Sequence, residues 1–253
     1  MTTQYDELGS LYEEFSRTPF RQELEFPSVI GALGDVRGLR VLDFACGNGV
    51  FSRTLMQRGA RHVVGLDESA GMLEYARARE ADEPLGIRYI DGTLPDALAG
   101  TFDLVLGLYI LPYATSYEEL VDLCRVASRA LRPGGRFVTV LVHPELHPDP
   151  DHYTRYGFRL TPKDAPGAPA PLTDADPVDL HLTFSGHDTH IYAHYWSADT
   201  LELALREAGF GPVQWRRHRT AGSASDVPPG FWEPYLSAPH AAILDTYKEP
   251  EPS

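Results

Sequence analysis

Three carboxylates in register with apolar runs are the first sign of chemistry in this 253-residue sequence. Asp43 follows Val41-Leu42, Asp67 closes His62-Val-Val-Gly-Leu66, and Asp91 closes Ile87-Arg-Tyr-Ile90. Short apolar runs of this kind read as buried strands, so each acid stands at a strand end. After the first acid comes a turn of small residues, Ala45-Cys46-Gly47-Asn48-Gly49, then a helix-like run from Phe51 to Arg58. A strand, a glycine-bearing turn and a helix make the first unit of a nucleotide-binding α/β sheet. Small residues there let the backbone approach a ligand, because no Cβ stands between them.

The turn also discriminates between ligands. A dinucleotide site has the pattern G-x-G-x-x-G, with the pyrophosphate on the helix N-terminus. Counted from Gly47, the second glycine is Gly49, but the third position is Ser52. Asp43, just before the turn, would repel a pyrophosphate and suits an ammonium or sulfonium group. Both features disfavour a nicotinamide cofactor. Asp67 lies 24 positions after Asp43, where an acid at the end of strand two reaches ribose hydroxyls. It could equally cap a helix, since Ser69 and Ala70 follow. Asp91-Gly92 reads either as a ligand contact or as an Asx-type turn.

The run Asp43-x-Ala45-x-Gly47-x-Gly49 resembles motif I of the class I S-adenosylmethionine (SAM) methyltransferases, with Ala45 where the family often has its first glycine. The stretch Phe102 to Tyr113 resembles motif IV, and Leu131-Arg-Pro-Gly-Gly-Arg136 resembles the turn before strand five. The resemblance implies a Rossmann-like α/β sheet of seven strands in the order 3-2-1-4-5-7-6. It implies SAM as methyl donor and S-adenosylhomocysteine (SAH) as product. Asp43 and the backbone of Ala45, Gly47, Asn48 and Gly49 would hold the methionyl part. Asp67 and Glu68 would hold the ribose, and Asp91 and Gly92 the adenine, with Met72 and Leu108 completing the cofactor set. Tyr109 and Tyr113 stand where acceptor contacts fall in the family, and read equally well as aromatic wall.

Around this core the chain divides into four expected parts: residues 1–35, 36–142, 143–196 and 197–253, all within one domain. In the first part Tyr5, Leu8, Leu11, Tyr12, Phe15, Phe20, Leu24 and Phe26 recur at helical spacing. That predicts helices that either pack on the core or form a lid. As a lid they would bring Tyr5, Tyr12, Phe15 and Arg21 to ligand, with Tyr12 beside the acceptor and Arg21 able to grip a carboxylate bidentately. Residues 143–178 are rich in proline and acid and read as an irregular excursion over the active-site end. Asp179 to Phe184 and His190 to Trp196 alternate and predict a β-hairpin cap. His187, His190 and His194 lack a carboxylate or cysteine at a familiar ligand spacing, so no metal is expected. The last part predicts a helix from Ser197 to Gly209, a strand at Pro212–Arg217, a tight turn at Val227–Trp232 and a final antiparallel strand near Ala242–Tyr247.

Composition narrows the partners. The net charge of −14 argues against attraction to phosphate backbones, so nucleic acid is not expected. The basic cluster Arg216-Arg217-His218-Arg219 reads as a solvated strand end. Cys46 and Cys124 form no CxxC pair, consistent with packing roles and a reducing cytoplasm. No secretory leader or membrane-length apolar run is expected. The expected partner is a small-molecule acceptor, with oligomeric state, a homodimer included, left open.

Within the family, the chain looks most like N-methyltransferases of toxoflavin-type azapteridine biosynthesis, a branch of bacterial specialised metabolism that includes antibiotics. The matching pieces are Tyr5-Asp6, Gly34-Asp-Val-Arg-Gly38, His194-Tyr-Trp-Ser197 and Pro228-Pro-Gly-Phe-Trp232. A nitrogen acceptor is therefore expected. O- or C-methylation by the same scaffold stays open, with His143, His187, His190 and His194 as candidate bases. So does SAM binding without methyl transfer.

Overall fold

In the computed structural model, which describes residues 9–163, 172–222 and 227–250, alternating apolar residues build one central sheet. Its parallel strands are β1 (Arg40–Phe44), β2 (His62–Asp67), β3 (Arg88–Asp91), β4 (Phe102–Leu108) and β5 (Leu131–Val142). The insert contributes β6 (Phe158–Pro162), β7 (Pro177–Phe184) and β8 (His187–His194), and the chain returns to the central sheet with β9 (Gln214–Arg216) and β10 (Ala241–Tyr247). The seven-stranded order is β3-β2-β1-β4-β5-β10-β9. Counting only the strands of this sheet gives 3-2-1-4-5-7-6; the higher labels arise because three insert strands intervene. Tyr5, Asp6 and the whole 165–171 proline run lie outside the described residues.

Both faces of the sheet are covered, as parallel strands require. Leu42, Val64, Leu66, Val105 and Phe137 pack against α5 (Tyr117–Ala130) and α6 (Ala198–Glu207). Val41, Val63, Leu104, Leu106 and Val138 pack on the other face, against α2 (Phe26–Leu33) and α3 (Val50–Gln57). A side-chain period of two along each strand produces this division. Serine caps set the helix starts. Ser69 accepts from Met72 N at 3.2 Å to open α4 (Ala70–Asp82), and Ser116 accepts from Glu119 N at 3.2 Å to open α5. Asp67 is therefore not the cap of α4; it accepts the Ser69 N–H from outside the helix at 2.8 Å.

The N-terminal segment and the insert build a third apolar cluster over the carboxyl end of the sheet. Helix α1 (Gly9–Ser16) and a π-helical turn (Phe20–Glu25) supply Leu11, Phe15, Phe20 and Leu24; the insert supplies Tyr153, Phe158, Val178, Leu182 and Ile191. Trp232 and Tyr235 join from the short helix α7 (Glu233–Ser237), which the sequence reading did not include. The insert also departs from expectation. It is a three-stranded antiparallel sheet, β6-β7-β8, rather than a hairpin alone. The excursion contains a 3-10 turn (Pro150–Tyr156) followed directly by β6. Proline and acid dominate its composition, yet the buried anchors Tyr153, Tyr156 and Phe158 (1, 6 and 1% exposed) fix it to the cap. At the other end, the expected turn before strand five is absorbed into β5, whose register shifts between Phe102 and Leu104 to accommodate Pro133-Gly134-Gly135. No helix among the described residues is long and apolar enough to cross a membrane.

Candidate active site

The turn after β1 owes its shape to left-handed backbone. Ala45, Gly47 and Gly49 have φ of 59°, 54° and 80°. A Cβ on Gly49 would collide with Tyr89 Oη, so that glycine is a packing requirement. Gly47 differs: a Cβ there would meet nothing within 4 Å, and the same holds for Gly92 at the end of β3. Two bare backbone surfaces thus face open space after β1 and β3, on either side of β2, as a cradle for a nucleoside-bearing ligand requires.

Asp67 ties these surfaces together. Its Oδ2 accepts the Gly47 N–H at 2.7 Å, its Oδ1 accepts the Ser69 N–H at 2.8 Å, and its own carbonyl accepts the Gly92 N–H at 2.9 Å. A carboxylate offers about four acceptor positions, so lone pairs remain for a diol. Burial raises the Asp67 pKa, opposed by these backbone donors. Asp91 is exposed and lies opposite Asp67 in the β2–β3 register. Glu68 is exposed, Leu108 half-buried, and Met72 packs inward at 2% exposure.

Asp43 sits lower. It is 1% exposed and accepts the Ser52 hydroxyl at 2.6 Å, bracing the turn against α3 from beneath. Burial pushes its carboxyl pKa from 3.8 up to about 7. Asn48 reaches the opposite way, donating from Nδ2 to the Gly9 carbonyl at 3.3 Å, so the turn holds the start of α1. That helix overlies the site: the half-buried Tyr12 hydroxyl feels Arg21, Glu25 and Asp67, and burial raises its pKa. Phe15 packs against Phe184 with ring centres 5.0 Å apart, and Glu14 meets His187 Nε2 at 2.9 Å. The N-terminal helix and the tip of the insert therefore form one clasped cap.

On the other side of the crevice lies a buried polar chain. Tyr109, the residue after β4, has φ 58° and donates its hydroxyl to Glu25 Oε2 at 2.7 Å. His240 Nε2 lies 3.4 Å from the same hydroxyl, and His240 Nδ1 lies 2.8 Å from the Tyr235 hydroxyl. With Tyr109 donating to the carboxylate, the consistent assignment runs in one direction. Tyr235 donates to Nδ1 of His240, Nε2–H of His240 donates to Tyr109, and Tyr109 donates to Glu25. Glu25, at 2% exposure, pairs with Arg21 one helical turn away, and the Arg21 guanidinium stands 5.2 Å from the ring centres of both Phe15 and Phe26. Arg21 Nε is buried with no hydrogen-bond partner, a donor available to an anionic group. Burial holds His240 well below its usual 6.5 and Tyr109 well above 10; Glu25 adds to the second effect. Tyr113 is half-buried beyond this chain, its pKa also raised by burial.

The sequence reading missed Glu25 and His240. Of the base candidates it named, His143 adjoins this chain, its backbone N–H donating to the His240 carbonyl at 2.8 Å. His143 accepts the Glu145 N–H at 2.9 Å, His187 holds Glu14, and His190 Nδ1 meets Asp179 at 2.8 Å. The sequence context of Glu25 and His240 carries little signal: Arg21 and Glu25 stand four apart in the mixed run Phe20-Arg-Gln-Glu-Leu-Glu-Phe26, and His240 precedes the apolar run Ala241-Ala-Ile-Leu244. The basic cluster is dispersed: Arg216 Nη2 bonds Asp245 at 2.6 Å and His218 meets the Ala241 carbonyl at 2.7 Å.

Comparison with known proteins supports the same assignment. Residues 41–135 match the family model of a methyltransferase domain. The chain is 31% identical over 231 residues to a demethylmenaquinone methyltransferase of Clavibacter sepedonicus, covering 88% of this chain and 86% of that one. It is 23% identical over 175 residues to the N-demethylindolmycin N-methyltransferase of Streptomyces griseus, covering 68% and 70%. An S-adenosylmethionine-dependent methyltransferase structure from Mesorhizobium loti matches with a TM-score of 0.58 at 25% identity, covering 88% and 97%. With the sheet order, the open glycines and the strand-end acids in place, these likenesses establish that the chain belongs to the class I SAM-dependent methyltransferases.

Proposed function

We propose that this enzyme transfers the methyl group of SAM to a nitrogen of a small heterocycle or amine, in a branch of specialised metabolism. The observation that carries the reading is the buried chain Tyr235–His240–Tyr109–Glu25. Its imidazole is held well below the usual 6.5 by burial, and its carboxylate is already matched to Arg21. Such a chain is a weak base. A hydroxyl acceptor has to surrender a tightly held proton during attack, which calls for a stronger base in contact with it. A neutral nitrogen brings its own lone pair and releases a proton only afterwards, which a weak, preorganised chain can receive.

SAM, when bound, supplies an electrophilic methyl on a sulfonium centre. The residues proposed to hold it are the backbone at Ala45, Gly47, Asn48 and Gly49, then Asp67 and Glu68, then Asp91 and Gly92, flanked by Met72 and Leu108. The open backbone at Gly47 and Gly92 and the unpartnered Arg21 Nε fit a ligand with a nucleoside at one end and a carboxylate at the other. Asp43 supports a cation nearby through its field, from beneath the turn. Tyr12 and Phe15 on α1, with Tyr109 and Tyr113 after β4, exclude water and orient the acceptor, and alignment of this kind supplies much of the acceleration in displacement reactions.

The Streptomyces griseus relative, named as an N-methyltransferase, supports the nitrogen reading. A second reading, methylation of carbon or oxygen, is favoured by one observation: the demethylmenaquinone methyltransferase likeness runs over 86% of that relative. A panel of N–H heterocycles and secondary amines, set against phenols and hydroquinones of matched shape, separates the two. SAH release reports turnover, and the carbon-13 shift of the new methyl reports the atom methylated. N-methyl products are expected; transfer confined to carbon or oxygen would overturn the proposal.

A further inference from the structure

The outer face of the β7–β8 hairpin gathers groups that the methyl-transfer site does not use. His181 and His190 are register partners on adjacent strands, and their rings stack with centres 4.3 Å apart and planes 4° from parallel. Asp188 Oδ1 lies 2.6 Å from His181 Nε2, and a ligand atom from each of His181, Asp188 and His190 falls within 4.8 Å of the others. Asp179 Oδ2 holds His190 Nδ1 at 2.8 Å, which leaves Nε2 as the free nitrogen of that ring.

We propose that this face is a binding site for a divalent transition-metal cation of the zinc type, with His181, His190 and Asp188 as ligands and Asp179 orienting His190. A carboxylate on the far nitrogen of a liganding histidine fixes its tautomer and raises its basicity, as this arrangement does for His190. Two imidazoles and one carboxylate are a familiar donor set for zinc, with a fourth position for water. Bonds of the usual length around a tetrahedral ion place donor atoms roughly 3.3 Å apart. The side chains of Asp188 and His190 are 75% and 46% exposed, which gives them room to adjust toward that spacing.

Two cations share the neighbourhood, and each is engaged elsewhere. Arg159, the β6 register partner of His181, pairs with Asp151 at 2.7 Å, and Lys163 Nζ lies 4.3 Å from the Tyr192 ring centre. A second stacked pair, His147 and His152, has ring centres 3.9 Å apart, but its nitrogens serve the Asp149 N–H and the Pro234 carbonyl, and no carboxylate among the described residues completes it. The hairpin site has a structural consequence. Asp188 adjoins His187, whose contact with Glu14 clasps α1, so a metal bridging β7 and β8 would stiffen the strand pair that holds the cap.

The test uses the full-length protein, free of any histidine tag and stripped with chelator. It is titrated with Zn²⁺ by calorimetry and with Co²⁺ by visible absorption. One equivalent binding at micromolar concentration is expected, lost in His181→Ala/His190→Ala and weakened about 10- to 100-fold in Asp179→Asn. The His147→Ala/His152→Ala protein should titrate like the parent. Circular dichroism checks that the variants fold, and the parent titration decides the matter alone should one fail to. Binding no tighter than millimolar, binding undiminished without His181 and His190, or loss in the His147/His152 protein instead would each overturn the proposal.

Discussion

The two sides of the crevice hold their polar groups by different means. On the β1–β3 side, the charge of Asp67 is met by backbone. Asp67 takes the N–H groups of Gly47 and Ser69, and every partner lies within 20 residues along the chain. On the β4–β10 side, Glu25 pairs with Arg21 four residues away, and the rest of the polar chain is assembled from distant side chains. Tyr109 reaches Glu25 across 84 positions and His240 across 131. Backbone donors come with the turn and suit a ligand that every member of a family shares. Side-chain donors can be exchanged one at a time, which suits a surface that has to distinguish acceptors.

The sharpest break in this comparison is Glu25→Ala. It leaves Arg21, 8% exposed, without its counter-ion, and removing one partner of a buried pair costs about 3–5 kcal/mol. Urea denaturation should show that loss, and turnover should fall with it. Unchanged stability would mean that the Arg21 charge is compensated from elsewhere, and the acceptor-side chain would lose its anchor.

Asp43→Asn should act in the opposite direction. Burial moves this carboxyl from 3.8 up to about 7. Between those values the folded protein binds a proton that the unfolded chain does not, so stability falls as pH rises through the window. The three-unit displacement sets a ceiling of roughly 4 kcal/mol. Asparagine keeps an oxygen for the Ser52 hydroxyl and cannot ionise. Without SAM, the variant should be the more stable protein at pH 8 and lose most of the parent's decline between pH 4 and 7. A bound sulfonium favours the ionised carboxylate, so parent SAM affinity should rise with pH through about 7, and the variant's should not. Identical pH profiles for the two proteins would remove Asp43 from the electrostatics of the site.

Asp67→Ala isolates the cofactor side. It removes a charged acceptor from two backbone N–H groups as well as from the proposed ribose contact, and hydrogen bonds to charged groups contribute about 1.5–3 kcal/mol each. Calorimetry should show SAM affinity reduced by about 2–3 kcal/mol, with the acceptor KM little changed. An equal loss on both substrates would mean that the two sides are mechanically coupled and the contrast between them is false.

The same contrast explains what could be read in the sequence. The ends of β1 and β2, the acids that close the first three strands and the serine caps are local facts, set by neighbours a few residues away. Glu25 and His240 acquire their meaning from contacts formed late in the chain's path, and nothing adjacent to either announces it. Strand β6 was hidden for a related reason: Phe158-Arg-Leu-Thr-Pro162 is short and follows a proline- and acid-rich stretch. It is a strand because β7 pairs with it and the cap buries Phe158 and Leu160. The hairpin histidines show the limit from the other side. Sequence spacing groups His187, His190 and His194 and gives no reason to expect a metal, whereas register brings His190 to His181.

Backbone strain is the one property both sides share, and it offers the smallest test. Ala45 and Tyr109, just beyond β1 and β4, have φ of 59° and 58°, a region that costs a residue with a Cβ about 1–2 kcal/mol. At Tyr109 the hydroxyl contact with Glu25 accompanies the strain. Ala45 makes no comparable side-chain bond, so its strain has no local return. Ala45→Gly should remove that cost while adding about 0.4–1 kcal/mol of unfolded-chain entropy, for a net gain of at most about 1.6 kcal/mol. Urea denaturation at a pH where Asp43 does not titrate would resolve it, and SAM affinity should stay within a factor of about two. A clear loss of SAM affinity would show that the Ala45 methyl packs on the ligand. This turn would then be tuned by side chain as well as by backbone, and the division between the two sides would be one of degree.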